Sequence, residues 1–449
     1  MPATVIDSTI FGNLFSTAAM REVWSDESRT RKYLEIEAAL ARVQARLGII
    51  PQEAADEIVR NCVLSKIDMG KLRARTEAIG YPVLGVVSQL NALCKDGLGE
   101  WCHWGATTQD ITDTATVLQI REGLALVAQD LEAISAALAS LARKHRDTPM
   151  AGRSNLQQAT PITFGYKMAT LLAGIERHRE RLKQLEARVL MGEFAGASGT
   201  LASLERGALE TQGLLMKELG LKQPLIAWHT VRDTIAEVGA FLALVGGSLG
   251  KIAMDVKLLM QTEVAEVYEP FAQGRGSSST MPQKRNPVSC LYIHAAVSVI
   301  RQHAASLIEA MVADHERSTG PWEIEWIALP EVFCLTAGAL QQTRFILAGL
   351  EVDVKRMRAN LDLTHGLIVS EAVMMGLAPH LGRERAHDLV YDICREAIRR
   401  ERPLVELLAE NPEITKHASR EKLTELCDPA NYLGLSGVMV DRVLASLPR

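Results

Sequence analysis

The feature that most constrains the fold is a series of long stretches in which apolar residues recur with the spacing of an α-helix. Such stretches cover residues 33–49, 111–146, 161–190, 231–260, 287–314 and 331–350. Several are far longer than the usual globular helix of about 11 or 12 residues. The long stretches carry apolar residues on more faces than one neighbouring helix would cover. The pattern therefore predicts a helix bundle.

Strand signals are scarce, which sets the fold class. β-branched residues alternating at period two are nearly absent, and Phe, Tyr and Trp make up only 5% of the chain. We therefore predict an all-α protein. A chain of 449 residues exceeds what one hydrophobic core usually serves. From glycine- and proline-rich interruptions we predict an N-terminal helical domain at 1–110, a central bundle at 111–358 and a small C-terminal helical domain at 359–449.

Composition narrows the compartment and the partners. A net charge of -5 and a pI near 6.2 provide no basic field for nucleic acid or an anionic membrane. The seven cysteines are scattered and form no CxxC pair, which indicates a reducing compartment and no zinc site. The N-terminus lacks the pattern of a signal peptide, and the most apolar stretch, residues 238–250, is shorter than a membrane span. We expect a cytoplasmic protein.

The most informative segment for chemistry is residues 274–287, GRGSSSTMPQKRNP, at the start of a long apolar stretch. Its glycines permit close approach of the backbone, and Lys284 and Arg285 supply positive charge. A helix that begins near Pro287 adds unpaired N–H groups and the positive end of its dipole. The alternative is a solvated Ser/Gly linker. The combination of hydroxyl groups and cations favours a site for a carboxylate.

The pattern Ser-Ser-x-Met-Pro-x-Lys-x-Asn-Pro in this segment resembles the signature of the fumarase/aspartase superfamily. Further resemblance covers Trp24-Ser25-Asp26 and residues 103–110, 152–161, 261–270 and the tail. It implies a three-domain helical subunit whose central helices form a twenty-helix core in a homotetramer. Each active site would be shared between three subunits, with no cofactor and no metal.

The resemblance also implies the reaction centre. Ser278 would exchange a proton on a carbon next to a carboxylate, with Ser277 and Ser279 less favoured, and Lys284 and Asn286 would hold the negative group. The doubly charged intermediate needs preorganised donors and cations, and a serine needs N–H groups and excluded water to act as a base. His103 would be a further catalytic residue. The other substrate-binding positions implied are Thr107, Thr108, Gln109, Arg153, Gln157, Arg232, Arg285 and Trp322.

Some of these residues have structural alternatives. His103 could fill a polar niche, Arg153 and Arg232 could be ion-pair partners, and Trp322 could pack between helices. We interpret Glu263, Glu266 and Glu269, spaced by three on one predicted helix face, as support for the signature loop.

Two departures from the superfamily narrow the reaction. Where amine-releasing lyases commonly place a histidine, this chain has Asn155, so a proton donor for an amine is missing. Where adenylosuccinate lyases bind phosphate, residues 322–326 read WEIEW and contain two carboxylates, which repel phosphate. That segment resembles bacterial carboxymuconate cycloisomerases.

The expected activity is therefore reversible lactonisation of 3-carboxy-cis,cis-muconate, a tricarboxylic substrate, as in protocatechuate-type aromatic degradation. The alternatives are a C–N or C–O lyase that releases fumarate from a succinyl adduct, and a catalytically silent structural tetramer.

Overall fold

The computed structural model describes residues 3–204, 206–270 and 273–448, and helices dominate it, which confirms the all-α prediction. In chain order the first ten helices are α1 Gly12–Phe15, α2 Ala18–Val23, α3 Asp26–Arg46, α4 Gln52–Asn61, α5 Met69–Ile79, α6 Val83–Leu93, α7 Thr108–Lys144, α8 Phe164–Val189, α9 Ala208–Leu219 and α10 Asp233–Leu259. The next nine are α11 Val288–Glu309, α12 Pro321–Ala348, α13 Val354–Leu361, α14 Ser370–Leu381, α15 Arg383–Arg400, α16 Leu404–Glu410, α17 Pro412–Thr415, α18 Arg420–Leu426 and α19 Ser436–Ala445.

Short polar side chains fix where several helices begin. The Ser25 hydroxyl accepts the N–H of Ser28 at the start of α3, and the Asp68 carboxylate accepts the N–H of Lys71 at the start of α5. Each cap satisfies a backbone donor that has no partner inside the helix. The helix starts are therefore set locally, whereas the buried faces are set by packing.

The predicted long helices are present, but α12 begins ten residues earlier than predicted. Pro330 lies inside α12, which runs from Pro321 to Ala348. A proline removes one helical hydrogen bond, so the sequence favours a break there. Leu329 and Val332 beside it are buried, and this packing keeps the helix continuous.

A β-hairpin lies where the prediction began a helix at residue 161. Its strands are β1 Pro149–Ser154 and β2 Gln157–Thr163, paired antiparallel. Asn155 and Leu156 connect them with φ of 50° and 63°, which is the left-handed pair of a type I′ turn. A second pair joins β3 Val267–Tyr268 to β4 Glu351–Val352.

The chain divides into two compact units, each built from segments that are distant in sequence. Unit 1 contains Met1–Leu131, His178–Leu249 and Tyr292–Gln342, and unit 2 contains Glu132–Arg177, Gly250–Leu291 and Thr343–Arg449. Within unit 2 the C-terminal helices enclose an apolar cluster that includes Val373, Leu377, Leu404 and Leu408. The domain boundaries expected near residues 110 and 358 stay predictions.

Two helices are long and apolar enough to cross a membrane by length and composition, namely α7 and α10. Residues 238–250, too short on their own to span a membrane, lie inside α10, which has 27 residues. In the most apolar 18-residue segment of each helix, 44% of α7 and 56% of α10 is buried inside the structure. The core helices of helix bundles have the same length and composition.

Candidate active site

The signature loop at 274–287, in unit 2, closes at its neck through Gly276 and Asn286. The Asn286 backbone N–H and its side-chain Nδ2 both donate to the Gly276 carbonyl, each over 3.0 Å. Gly276 has φ of 70°, and a Cβ there would lie 2.6 Å from the Asn286 carbonyl oxygen. Only glycine fits this neck. The side-chain amide of Asn286, a residue expected to bind substrate, thus closes the loop by a hydrogen bond to Gly276.

The Ser278 hydroxyl lies inside the loop and accepts two backbone hydrogen bonds. The N–H of Met281 donates to its Oγ over 3.1 Å and the N–H of Thr280 over 3.3 Å. The Thr280 hydroxyl lies 3.4 Å away. N–H groups aimed at an oxygen stabilise negative charge on it. The loop itself therefore supplies part of the environment that a serine needs to carry a proton to and from carbon.

Two cations near the end of the loop, Lys284 and Arg285, differ in their surroundings. Arg285 donates to both carboxylate oxygens of Glu351 at 2.9 and 3.0 Å and to the Glu269 carbonyl at 2.8 Å. This pairing raises the pKa of Arg285. It also connects the end of the loop to β4 and to the segment that follows β3. Lys284 is exposed, and its ammonium group has no partner within the described residues. The Lys284 ammonium group is therefore open to a ligand.

The acidic residues before the loop do not form the predicted helix face, because residues 261–266 lie in turns after α10 and Val267 begins β3. A β strand alternates its side chains and the turns break the 3.6-residue period, so the interpretation of one helical stripe was wrong. Glu269 accepts the N–H groups of Ser289 (3.2 Å) and Cys290 (2.8 Å) at the start of α11. It therefore fixes the helix into which the loop runs.

Arg153 on β1 forms a two-pronged ion pair with Glu266. Its terminal nitrogens lie 2.9 and 2.7 Å from the two carboxylate oxygens, and the Glu266 side chain is fully buried. The Asn360 amide donates to the same carboxylate over 2.8 Å. This geometry supports the ion-pair alternative for Arg153, and its role as a substrate ligand stays a prediction. Gln157 is exposed at the start of β2, directly after the turn formed by Asn155 and Leu156.

In unit 1, the segment before α7 forms a turn with a cation above it. The Thr107 N–H donates to the Asp110 carboxylate over 2.9 Å, and Thr108 begins α7. The Arg317 guanidinium donates to the Thr107 hydroxyl over 2.9 Å and to the Gln109 side-chain oxygen over 3.2 Å. Hydroxyls, a helix N-terminus and a guanidinium together suit a carboxylate. Arg317 was not among the predicted site residues, although it lies only five positions before the segment at 322–326.

Gln109 and Arg232 lie deeper, in a buried polar network. Arg232 is 2% exposed and donates to Asp113 at 2.7 and 3.0 Å and to Glu325 at 2.8 and 2.5 Å. The Gln109 amide donates to Asp113 over 3.1 Å, and the Trp322 indole donates to Asp113 over 3.0 Å. The nitrogen atoms of the Arg232 guanidinium are therefore all engaged by the carboxylates of Asp113 and Glu325.

This network bears on three of the predictions. The contacts of Arg232 support its ion-pair alternative, and the burial of Trp322 against Tyr81 and Trp326 supports its packing alternative. Their substrate-binding roles stay predictions. Glu325 pairs with Arg232, but Arg232 also pairs with Asp113, so this single positive charge offsets the repulsion expected against a phosphate only in part.

His103 precedes the turn and is held by a buried carboxylate. Its Nδ1 lies 2.6 Å from Oε1 of Glu37 on α3. Burial opposes the charged ring, but attraction to Glu37 and the hydrogen bond between them outweigh it, so the pKa of His103 is raised. The sequence carries no local signal for this pair, because 66 positions separate its members.

Asp110 is the centre of a third cluster, with Glu193 and His229. Their ligand atoms all lie within 4.8 Å of one another. The Asp110 oxygens accept from His229 at 2.8 Å and from the N–H groups of Ala195 and Gly196 at 3.0 Å, besides Thr107. Since these bonds occupy the lone pairs of Asp110, the cluster is a hydrogen-bonded support of the turn.

Comparisons with known proteins agree with this architecture. A family model described as lyase matches residues 15–301, and a model described as adenylosuccinate lyase C-terminus matches residues 366–443. The chain belongs to the fumarase/aspartase superfamily. It is therefore an enzyme of a soluble lyase superfamily, and α7 and α10 are core helices.

Individual superfamily members are similar over nearly the whole chain. A trans-aconitate decarboxylase from Mycosarcoma maydis is 58% identical, covering 96% of this chain and 88% of that protein. A 3-carboxy-cis,cis-muconate cycloisomerase from Pseudomonas aeruginosa is 47% identical, covering 97% and 96%. The crystal structure of the 3-carboxy-cis,cis-muconate lactonizing enzyme from Pseudomonas putida has a TM-score of 0.93 at 43% identity, covering 98% of both chains. The superfamily is thus shown, and the exact substrate is a separate question.

Proposed function

We propose that this enzyme transforms an unsaturated tricarboxylic acid through a carbanion next to a carboxylate, with Ser278 exchanging the proton. The observation that carries the proposal is the pair of N–H groups, from Thr280 and Met281, that point at the Ser278 oxygen. Such donors lower the energy of the alkoxide form, which is the form that accepts a proton from carbon. Lys284, exposed six residues away, supplies a positive charge for the substrate.

The first candidate reaction is the cycloisomerisation of 3-carboxy-cis,cis-muconate. A substrate carboxylate oxygen adds to a double bond, a C–O bond forms, and the electron pair moves to the carbon next to another carboxylate. The proton of Ser278 then joins that carbon, and in the reverse direction the serine removes it. A carboxylate nucleophile needs no proton donor of its own, which agrees with Asn155. Similarity to the Pseudomonas aeruginosa cycloisomerase supports this candidate.

The second candidate is the decarboxylation of trans-aconitate, favoured by the higher identity of 58% to the Mycosarcoma maydis protein. The C–C bond to the allylic carboxylate breaks, carbon dioxide leaves, and the electron pair moves through the double bond to the carbon next to a second carboxylate. A proton then joins that carbon. Both candidates therefore pass through a carbanion next to a carboxylate and end with its protonation.

An assay with both tricarboxylates tests the proposal. The enzyme is incubated with 3-carboxy-cis,cis-muconate and with trans-aconitate, and loss of diene absorbance and release of carbon dioxide are followed. Adenylosuccinate and argininosuccinate are run beside them. Turnover of one tricarboxylate, with no fumarate from either adduct, supports the proposal. Fumarate release, or no turnover of either tricarboxylate, contradicts it.

We also propose that the enzyme is a cytoplasmic homotetramer with active sites shared between subunits, as its superfamily membership suggests. Light scattering measures the subunit number. Inactive Ser278→Ala and His103→Gln proteins, unfolded together and refolded, should regain part of the activity if different subunits supply these residues to one site. Unmixed proteins treated in the same way are the control, and no recovery in a tetrameric mixture contradicts shared sites.

A further inference from the structure

His103 occupies an unusual backbone position that its surroundings must hold. Its φ is 60°, in the left-handed region that residues with a Cβ rarely adopt. Residues of helix α3 contact both chain neighbours of His103, Cys102 and Trp104. The Gln44 amide donates to the Trp104 carbonyl over 2.8 Å, and the Cys102 thiol lies 3.7 Å from Oε2 of Glu37. Such held strain is common where a side chain must be aimed.

Glu37 binds the ring itself. Its side chain is 0% exposed, whereas the His103 side chain is 18% exposed and thus open to a ligand. A carboxylate 2.6 Å from Nδ1 requires the hydrogen to reside on Nδ1. The lone pair of the neutral ring is then on Nε2, which has no hydrogen-bond partner in the described part of the chain.

We propose that Glu37 is a positioning residue for His103: it fixes the ring and its tautomer so that Nε2 is the nitrogen that exchanges a proton with the substrate. This inference rests on the proposed function, in which His103 is the second acid or base. Glu37 does not touch the substrate and acts only through His103.

Among the residues that the structure describes, two negative groups act on the ring from the elements packed around it, Glu37 on α3 and Asp110 on α7. The Cys102 thiol lies beside Glu37. Both carboxylates favour the charged ring, and Glu37 has the larger effect. Removing the charge of Glu37 therefore moves the titration of His103 to lower pH. This holds whether His103 acts as the acid or as the base.

The test compares Glu37→Gln, His103→Gln and the double variant with wild type. Glu57→Gln is the matched control, since Glu57 is a buried glutamate on α4 that pairs with Arg60 and Asn61 and not with His103. We expect Glu37→Gln to lower kcat by about tenfold or more with little change in KM. Its effect should vanish in the His103→Gln background, because Glu37 acts through that ring.

A second measurement reports on His103 without turnover. Diethyl pyrocarbonate modifies the neutral imidazole, and peptide mass spectrometry gives the pH midpoint of His103 modification. Glu37→Gln should move this midpoint about one unit lower, and Glu57→Gln should leave it in place. An unchanged midpoint overturns the inference even if the tricarboxylates are substrates. A shifted midpoint in an enzyme that converts neither tricarboxylate contradicts the proposed function instead.

Discussion

The backbone N–H of Met281 points at the Ser278 hydroxyl and donates to its oxygen over 3.1 Å. The donor and the acceptor belong to the same loop, three residues apart. The local backbone geometry therefore stabilises negative charge on the serine oxygen, which the serine needs in order to exchange a proton with a substrate carbon.

The loop neck should tolerate no Cβ at Gly276. Gly276→Ala places a methyl group 2.6 Å from the Asn286 carbonyl oxygen at a φ of 70°, so the neck must open and Ser278 must move. We expect a loss of kcat of about tenfold or more, since small misplacements of reacting groups are costly. Gly274→Ala is the control, because Gly274 also has a positive φ of 78° but nothing within 4 Å. Equal kinetic losses in both variants would show that the neck contact is unimportant.

The Arg153–Glu266 pair should contribute to stability. Arg153→Met leaves the fully buried Glu266 without its cation, so we expect the free energy of unfolding to fall by roughly 2–4 kcal/mol. The Arg153→Met/Glu266→Gln double variant should recover part of the loss. Denaturant unfolding measures both changes. Arg153→Lys, which keeps the charge, should leave KM within about threefold. A large rise in KM with unchanged stability would instead identify Arg153 as a substrate ligand.

Glu193 should make stability depend on pH. Burial, together with the charges of Asp110 and Asp113, raises its pKa to about 8 despite the N–H of Trp228. The native state thus holds the proton more tightly than the unfolded chain, so this group lowers stability as pH rises from 4.5 to about 8. The slope is up to about 1.4 kcal/mol per pH unit.

The variant Glu193→Gln carries no titrating group at this position. Its free energy of unfolding, relative to that of wild type, should therefore rise between pH 5 and pH 9 in about the window of that titration. Denaturant unfolding across this range measures the difference. Glu210→Gln, at an exposed position on α9, is the control and should follow wild type. A constant difference between Glu193→Gln and wild type would contradict the raised pKa.

Much of the fold could be predicted from sequence because long helices leave a periodic signal. The stretches at 111–146 and 231–260 correspond to α7 and α10 within a few residues. The sequence does not reveal the hairpin of β1 and β2, because its strands have only 6 and 7 residues. The turn that joins them consists of Asn155 and Leu156 and not of the Asn-Gly pair that usually marks such a hairpin. Packing around Pro330 likewise overrode the local preference for a break.

The sequence identifies only part of the candidate site, for a related reason. A motif identifies Ser278 and Thr107 because their neighbours in sequence are also their neighbours in space. The partners of other residues are far away along the chain. Arg232 meets Asp113 across 119 positions, and His103 meets Glu37 across 66. No local pattern reports such pairs, so the contacts that support the ion-pair alternatives are visible only in the structure.

Deuterium incorporation tests the central role of Ser278 most directly. The tricarboxylate that the enzyme converts, when turned over in deuterium oxide, should give a product with one deuterium on the carbon next to a carboxylate. Ser278→Ala should give no labelled product while it keeps the fold and assembly of wild type. Ser279→Ala, one residue away, should retain labelling. Labelled product from Ser278→Ala at a rate within tenfold of wild type would contradict the account.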